Sequence, residues 1–231
     1  MDRVTDLDSP AVWSALAYEI EGTWSLLGQS ERMLRDLRVV TDYDPLFACL
    51  ATGAEKLLKI VHGLVIEHEQ GQWPTKNTMS NTYRHTIVKL DGVCRGHVRD
   101  RLPTATSPGY IGGLLAEVDD DLVIRDLIEA VDRYARGGRF HNLDTLAEGP
   151  PDHPSPRVRL ETLELAIWER EGLVGQLGKD QPTFDAALAQ GNLVLRGSLL
   201  RWWDLYYRAA QHGVLGPRAK QWFSTGSPPT P

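Results

Sequence analysis

Residues 46 to 70 constrain the fold more than any other stretch. Leu50, Ala54, Leu57, Leu58, Val61, Leu64 and Val65 recur at steps of three and four. That spacing places all seven on one face of an α-helix, a face wide enough to need neighbours on several sides. Asp44-Pro45 supplies a start signal and Gly71 an end. No stretch of strand length alternates apolar and polar residues, so the rest of the chain must cover this helix with other helices.

The same signals divide the remaining sequence. Ser9-Pro10 opens a helix that runs to about Val40, with a possible break at Gly28 and with Trp13, Leu16, Ile20, Trp24 and Leu27 on its buried stripe. Pro74 lies in a connector. A third helix covers about Tyr83 to Leu102, with Ile87, Leu90, Cys94 and Val98 inward. A short helix follows from Pro108. The triplet Asp119-Asp120-Asp121 opens the next helix, where carboxylates suit the positive end. Its core face is Ile124, Leu127, Ile128, Val131 and Tyr134, and Gly137-Gly138 ends it. Two more helices are expected, from about Arg157 to Leu177 and from Phe184 to His212.

The expected architecture is all-α. An antiparallel bundle over 45–147 is covered by an N-terminal helix within 1–44 and joined by a Pro-rich linker, 148–157, to a long helical pair, 158–213. A polar tail, 224–231, is expected to be disordered. The pattern predicts six to eight helices and no sheet.

Charge narrows the function. The 231 residues carry a formal charge of −6, which argues against broad, sequence-blind nucleic-acid binding but permits a small basic site. No apolar run is long enough for a membrane helix. The acidic N-terminus, MDRVTDLDSP, does not read as a signal peptide. Cys49 and Cys94 fall in helical patterns and read as buried free thiols, so the expectation is a cytoplasmic protein without a membrane partner. No histidine or cysteine pair has metal-ligand spacing. Phosphate loops, dinucleotide fingerprints and GxSxG are absent, so no metal or cofactor is expected.

One stretch stands out chemically. Between residues 133 and 141 there are three arginines, two glycines, one histidine and no acidic residue. Arg136 and His141 form an Arg-x4-His. An Arg-x4-to-x6-His arises by chance about once or twice in a chain of this composition, so its context must carry the argument. Arginine and histidine together suffice for metal-free RNA cleavage: imidazole moves the proton and guanidinium stabilises phosphate charge. Arg136 and His141 are therefore the candidate catalytic pair. Arg133, Arg139, Arg84 and His85 are candidates for binding phosphate. The plain alternative is a helix end whose arginines complement the dipole. Trp202, Trp203, Tyr206 and Tyr207 form an aromatic band, either core or an oligomer interface.

Three pieces in order resemble the HEPN superfamily of helical nucleotide- and RNA-binding domains: Ala54-Glu55-Lys56-Leu57-Leu58-Lys59, His85-Thr86-Ile87-Val88-Lys89-Leu90-Asp91, and Arg133-Tyr134 with Arg136 and His141. In the second piece Arg84 and Thr86 stand where the family usually has glycine and aspartate. In the third, Gly137-Gly138 follows the arginine where catalytic members commonly have a polar residue on a continuous helix. The resemblance implies a helical bundle, often dimeric, binding RNA or a nucleotide in a toxin or defence system. A metal-independent endoribonuclease is its catalytic form, and an antitoxin or other protein partner is implied. The rival expectation is a non-catalytic helical interaction or assembly protein.

Overall fold

The computed structural model describes residues 9–38, 43–149, 152–225 and 228. Nine α-helices and no strand occur among them: α1 (Pro10–Arg35), α2 (Tyr43–Gln70), α3 (Ile87–Asp100), α4 (Pro108–Asp120), α5 (Leu122–Ala135), α6 (His141–Glu148), α7 (Pro156–Arg170), α8 (Gln181–Gln211) and α9 (Pro217–Trp222). The all-α expectation holds. None of these helices is long and apolar enough to cross a membrane.

The central helix is α2. Leu46, Leu50, Ala54, Leu57, Leu58, Val61, Leu64 and Val65 are completely buried, and α1, α3, α5 and α9 pack around it. At Gly63 the Trp73 ring occupies the space a Cβ would need. α8 crosses α1, α4 and α5, while α7 packs mainly on α5. The C-terminal helices thus share one core with the rest, and the expected pairing of the last two helices is secondary to their packing on α5.

Several boundaries differ from expectation. α1 continues through Gly28 as an unbroken helix. It ends at Arg35, several residues before the expected end near Val40, where Asp36 leaves helical geometry; most of the 224–231 tail lies outside the described residues. Ser9 makes no side-chain cap, so Pro10 alone marks that start. Of the acidic triplet only Asp121 caps, accepting from the Val123 and Ile124 amides; Asp119 and Asp120 end α4. α7 stops at Arg170, where Gly172 turns with φ +69°. α6 and α9 carry too few apolar residues at helical spacing to announce themselves, which takes the helix count past eight. The described residues between α6 and α7 are irregular, as the prolines require.

The aromatic band belongs to the core. Trp202, Trp203 and Tyr206 are buried, Tyr207 is half-buried, and Trp203 stacks on Trp24 at 5.4 Å between ring centroids. Three of its four rings are therefore used within the chain's own core, and Tyr207 alone reaches the surface. Cys94 is buried and donates to the Leu58 carbonyl at 3.3 Å, whereas Cys49 is only half-buried because it sits at the edge of α2's inward face.

A histidine pair lies between α2 and α3. His62 Nδ1 and His97 Nε2 are 2.9 Å apart, so one nitrogen must be protonated and the other not. Burial, then the His97 charge, lowers the His62 pKa to about 4; burial lowers His97 as well, against Glu69 and Asp100 and with Arg101. A lowered folded-state pKa means that the unfolded chain binds more protons at mildly acidic pH. The contribution is thus complete above about pH 6.5 and is lost as pH falls toward about 4. Urea unfolding should show wild type losing roughly 1–2 kcal/mol more than His62→Gln between about pH 7 and about pH 5. Equal losses would assign the acid sensitivity elsewhere.

Candidate functional site

Arg136 and His141 stand on opposite sides of a helix break. α5 ends at Ala135, and the Arg136 amide closes its last turn on the Asp132 carbonyl. Gly137 has φ +139°, a conformation that side-chain-bearing residues rarely adopt. A 3-10 turn over Gly138–Phe140 follows, and His141 begins α6. The helix stop near Gly137 is as expected, but His141 is a first helical residue rather than part of a turn. Gly138 is held against Pro156 at the start of α7, and a Cβ there would meet the Arg133 carbonyl oxygen at 2.7 Å. Steric need explains both glycines, and Gly137 alone borders the concavity described next.

That concavity is open, with a volume of about 460 Å³. Arg84, His85, Thr86, Arg136, Arg139 and Phe140 line it, with no carboxylate in its lining. Arg136 is about half exposed and fixed by a 2.8 Å ion pair with Asp132, which also accepts the Val88 amide. Arg139 lies over the exposed Phe140 ring at 5.0 Å. The Thr86 hydroxyl is buried without a hydrogen-bond partner.

His85 is the best-held group here. Glu55, on α2, accepts from its backbone amide at 3.3 Å and meets its Nδ1 at 3.0 Å. This carboxylate grips a residue at φ +51°, the one non-glycine position with positive φ among the described residues. Burial would raise the Glu55 pKa, but hydrogen bonds from Lys59 and His85 outweigh it and hold the pKa below its ordinary value. An ionised carboxylate only accepts, so Nδ1 carries a proton and Nε2 is the ring nitrogen that Glu55 does not engage. The His85 side chain remains 40% exposed, which leaves it reachable from the concavity.

His141 is half-buried and lines a smaller neighbouring hollow of about 110 Å³, with Tyr43, Asp44, Tyr134 and Arg157. Arg139 borders both hollows. Arg133 lines neither; it is half-buried, with its Nε buried and unpartnered. The structure therefore brings Arg136 together with Arg84, Arg139 and His85, and places His141 across Arg139 from them. Glu55, Thr86 and Phe140 are the participants that sequence reasoning did not assign. Glu55 precedes His85 by 30 residues, and no local pattern links them.

Comparison with protein-family models, curated proteins and solved structures gives no match. The site's own chemistry carries the functional argument.

Proposed function

We propose that this protein binds the phosphate groups of RNA or of a nucleotide in the concavity lined by Arg84, His85, Arg136 and Arg139. The observation that carries this reading is three guanidiniums and an imidazole around one open hollow with no carboxylate in its lining, on a chain of formal charge −6. Guanidinium forks match phosphate oxygens, and the local field stands against an acidic background. The exposed Phe140 ring beside the arginines suits a stacked base. The HEPN resemblance adds support: His85 and Arg136, from two of its pieces, line this hollow, and Glu55, from the third, holds His85 from behind. A role in a toxin or defence system, a homodimer and an antitoxin partner rest on that resemblance alone.

The test is fluorescence anisotropy with a labelled single-stranded RNA at several salt concentrations. Wild type should bind with a logarithmic salt slope near −2, about −0.7 for each of three phosphates neutralised. Arg84→Ala/Arg139→Ala should weaken binding at least about tenfold and reduce the slope by about 1.4. Salt-independent binding, or a double variant that binds like wild type, would refute the reading.

A second reading has one observation in its favour. Phe140, Leu143 and Leu146 are 50%, 64% and 84% exposed and share a face leading into and along α6. A non-catalytic helical interaction protein would use such a face. It would show no salt-dependent RNA binding in the same titration.

A further inference from the structure

A second groove, of about 350 Å³, opens between α7 and the start of α8 and shares no lining residue with the cationic hollow. Its walls are Leu165, Trp168, Leu177, Phe184 and Leu188. Among the described residues, the charged side chains lining it are Glu161 and Glu164. Glu164 is the unusual one. It is 9% exposed, and its Oε2 accepts the Tyr43 hydroxyl proton at 2.6 Å. Its other oxygen, Oε1, is buried with no hydrogen-bond partner.

A buried carboxylate with an unused oxygen is costly in either protonation state. Ionised, Oε1 lacks a donor; protonated, its O–H lacks an acceptor. Burial, opposed by the Tyr43 hydrogen bond, raises the Glu164 pKa. A donor bearing positive charge would supply what Oε1 lacks and restore the ionised form. The groove around it is apolar, with the Trp168 and Phe184 rings 5.8 Å apart and tilted by 54°. Such aromatic walls favour a cation near their faces. Glu161 adds negative charge at the rim, tempered by its 2.8 Å ion pair with Arg157.

We propose that this groove binds a small organic ammonium ion with an apolar body. The ammonium group donates to Glu164 Oε1. The hydrocarbon portion lies against Leu165, Leu177 and Leu188 and beside the touching Trp168 and Phe184 rings. Phosphate binding in the other hollow plays no part in this proposal.

Isothermal titration calorimetry with 2-phenylethylammonium tests it, with 2-phenylethanol and phenylacetate as the neutral and anionic counterparts. The ammonium ion should bind. The alcohol should bind at least about tenfold more weakly, and phenylacetate should give no binding heat. Glu164→Gln should weaken the ammonium ion roughly 10- to 100-fold, the size of a hydrogen bond to a charged group. Leu165→Trp, which fills the groove from an exposed position, should abolish binding without touching the carboxylate. Circular dichroism shows whether each variant is folded. If Glu164→Gln does not fold, Leu165→Trp and the three-ligand series decide the matter. Wild type that gives no heat at millimolar ammonium overturns the proposal. Equal affinity for ammonium ion and alcohol, or undiminished binding by either folded variant, overturns it as well.

Discussion

Asp91→Ala is expected to destabilise the fold by roughly 3–5 kcal/mol, the cost of breaking a buried charged network. Asp91 is 1% exposed. Its Oδ1 accepts from Trp202 Nε1 and from the Tyr206 hydroxyl, each at 2.7 Å. Its Oδ2 takes a short ion pair from Arg95, which also reaches Asp119 at 3.0 Å. Burial, reinforced by the Asp91 charge, pushes the Tyr206 pKa far up, so the phenol remains a donor. Alanine would strand the buried Trp202 N–H, leave the Tyr206 hydroxyl only the long 3.4 Å contact to the residue-91 backbone carbonyl, and leave half-buried Arg95 with only Asp119. In a domain of this size the loss corresponds to a fall of roughly 6–20 °C in Tm. Asp91→Asn keeps an acceptor and should lose less than alanine does. Thermal unfolding by circular dichroism checks both, and a loss below about 1 kcal/mol for alanine would mean that the stranded donors find other partners.

His85→Ala is expected to reduce RNA cleavage in EDTA by roughly 10²–10⁴-fold, the usual scale of general acid–base catalysis. We propose, beyond the binding argued above and resting on the HEPN resemblance, that the same hollow cleaves the RNA it holds, by the following steps. His85 Nε2 takes the ribose 2′-hydroxyl proton, and the 2′-oxygen attacks the adjacent phosphorus. The bond to the 5′-oxygen breaks, leaving a 2′,3′-cyclic phosphate and, after a proton reaches the leaving oxygen, a 5′-hydroxyl. Arg84, Arg136 and Arg139 stabilise the charge that builds on the phosphate oxygens. Glu55 acts through His85 as a positioning residue, so Glu55→Gln should lower the rate less than His85→Ala does. The Arg136/His141 spacing instead assigns the proton transfer to His141. A mixed RNA pool incubated with wild type, His85→Ala and His141→Ala separates the two. Loss in His141→Ala alone would move the chemistry to the smaller hollow. Wild type that binds RNA and leaves it intact would restrict the protein to binding.

The candidate site shows where one-dimensional reading stops. The stretch from Arg133 to His141 was legible as a concentration of positive charge, because charge and glycine content are local properties. Which of its side chains meet was not. One glycine with φ +139° turns the chain, and that turn separates Arg136 from His141 while bringing Arg136 beside His85. Asp91 shows the same limit in the core. By sequence it is one of two acids offsetting the charge of the third helix. In the fold it is the acceptor for an indole and a phenol on α8, more than a hundred residues away.

The sequence by itself determined the helices and their buried faces. An apolar stripe with a 3.6-residue period is stable only when covered, and proline and glycine mark ends through backbone geometry alone. That logic placed α2 almost to the residue and excluded a sheet. Tertiary packing decided the rest. It drew the Trp202–Tyr206 aromatics into the core, added α6 and α9, whose apolar patterns are too short to predict, and made α5 the support for α7. It also set Glu55 against His85 and left one oxygen of Glu164 without a donor. These outcomes depend on which faces meet across distant parts of the chain. Helical periodicity specifies that a face must be buried, and only the packed structure specifies against what.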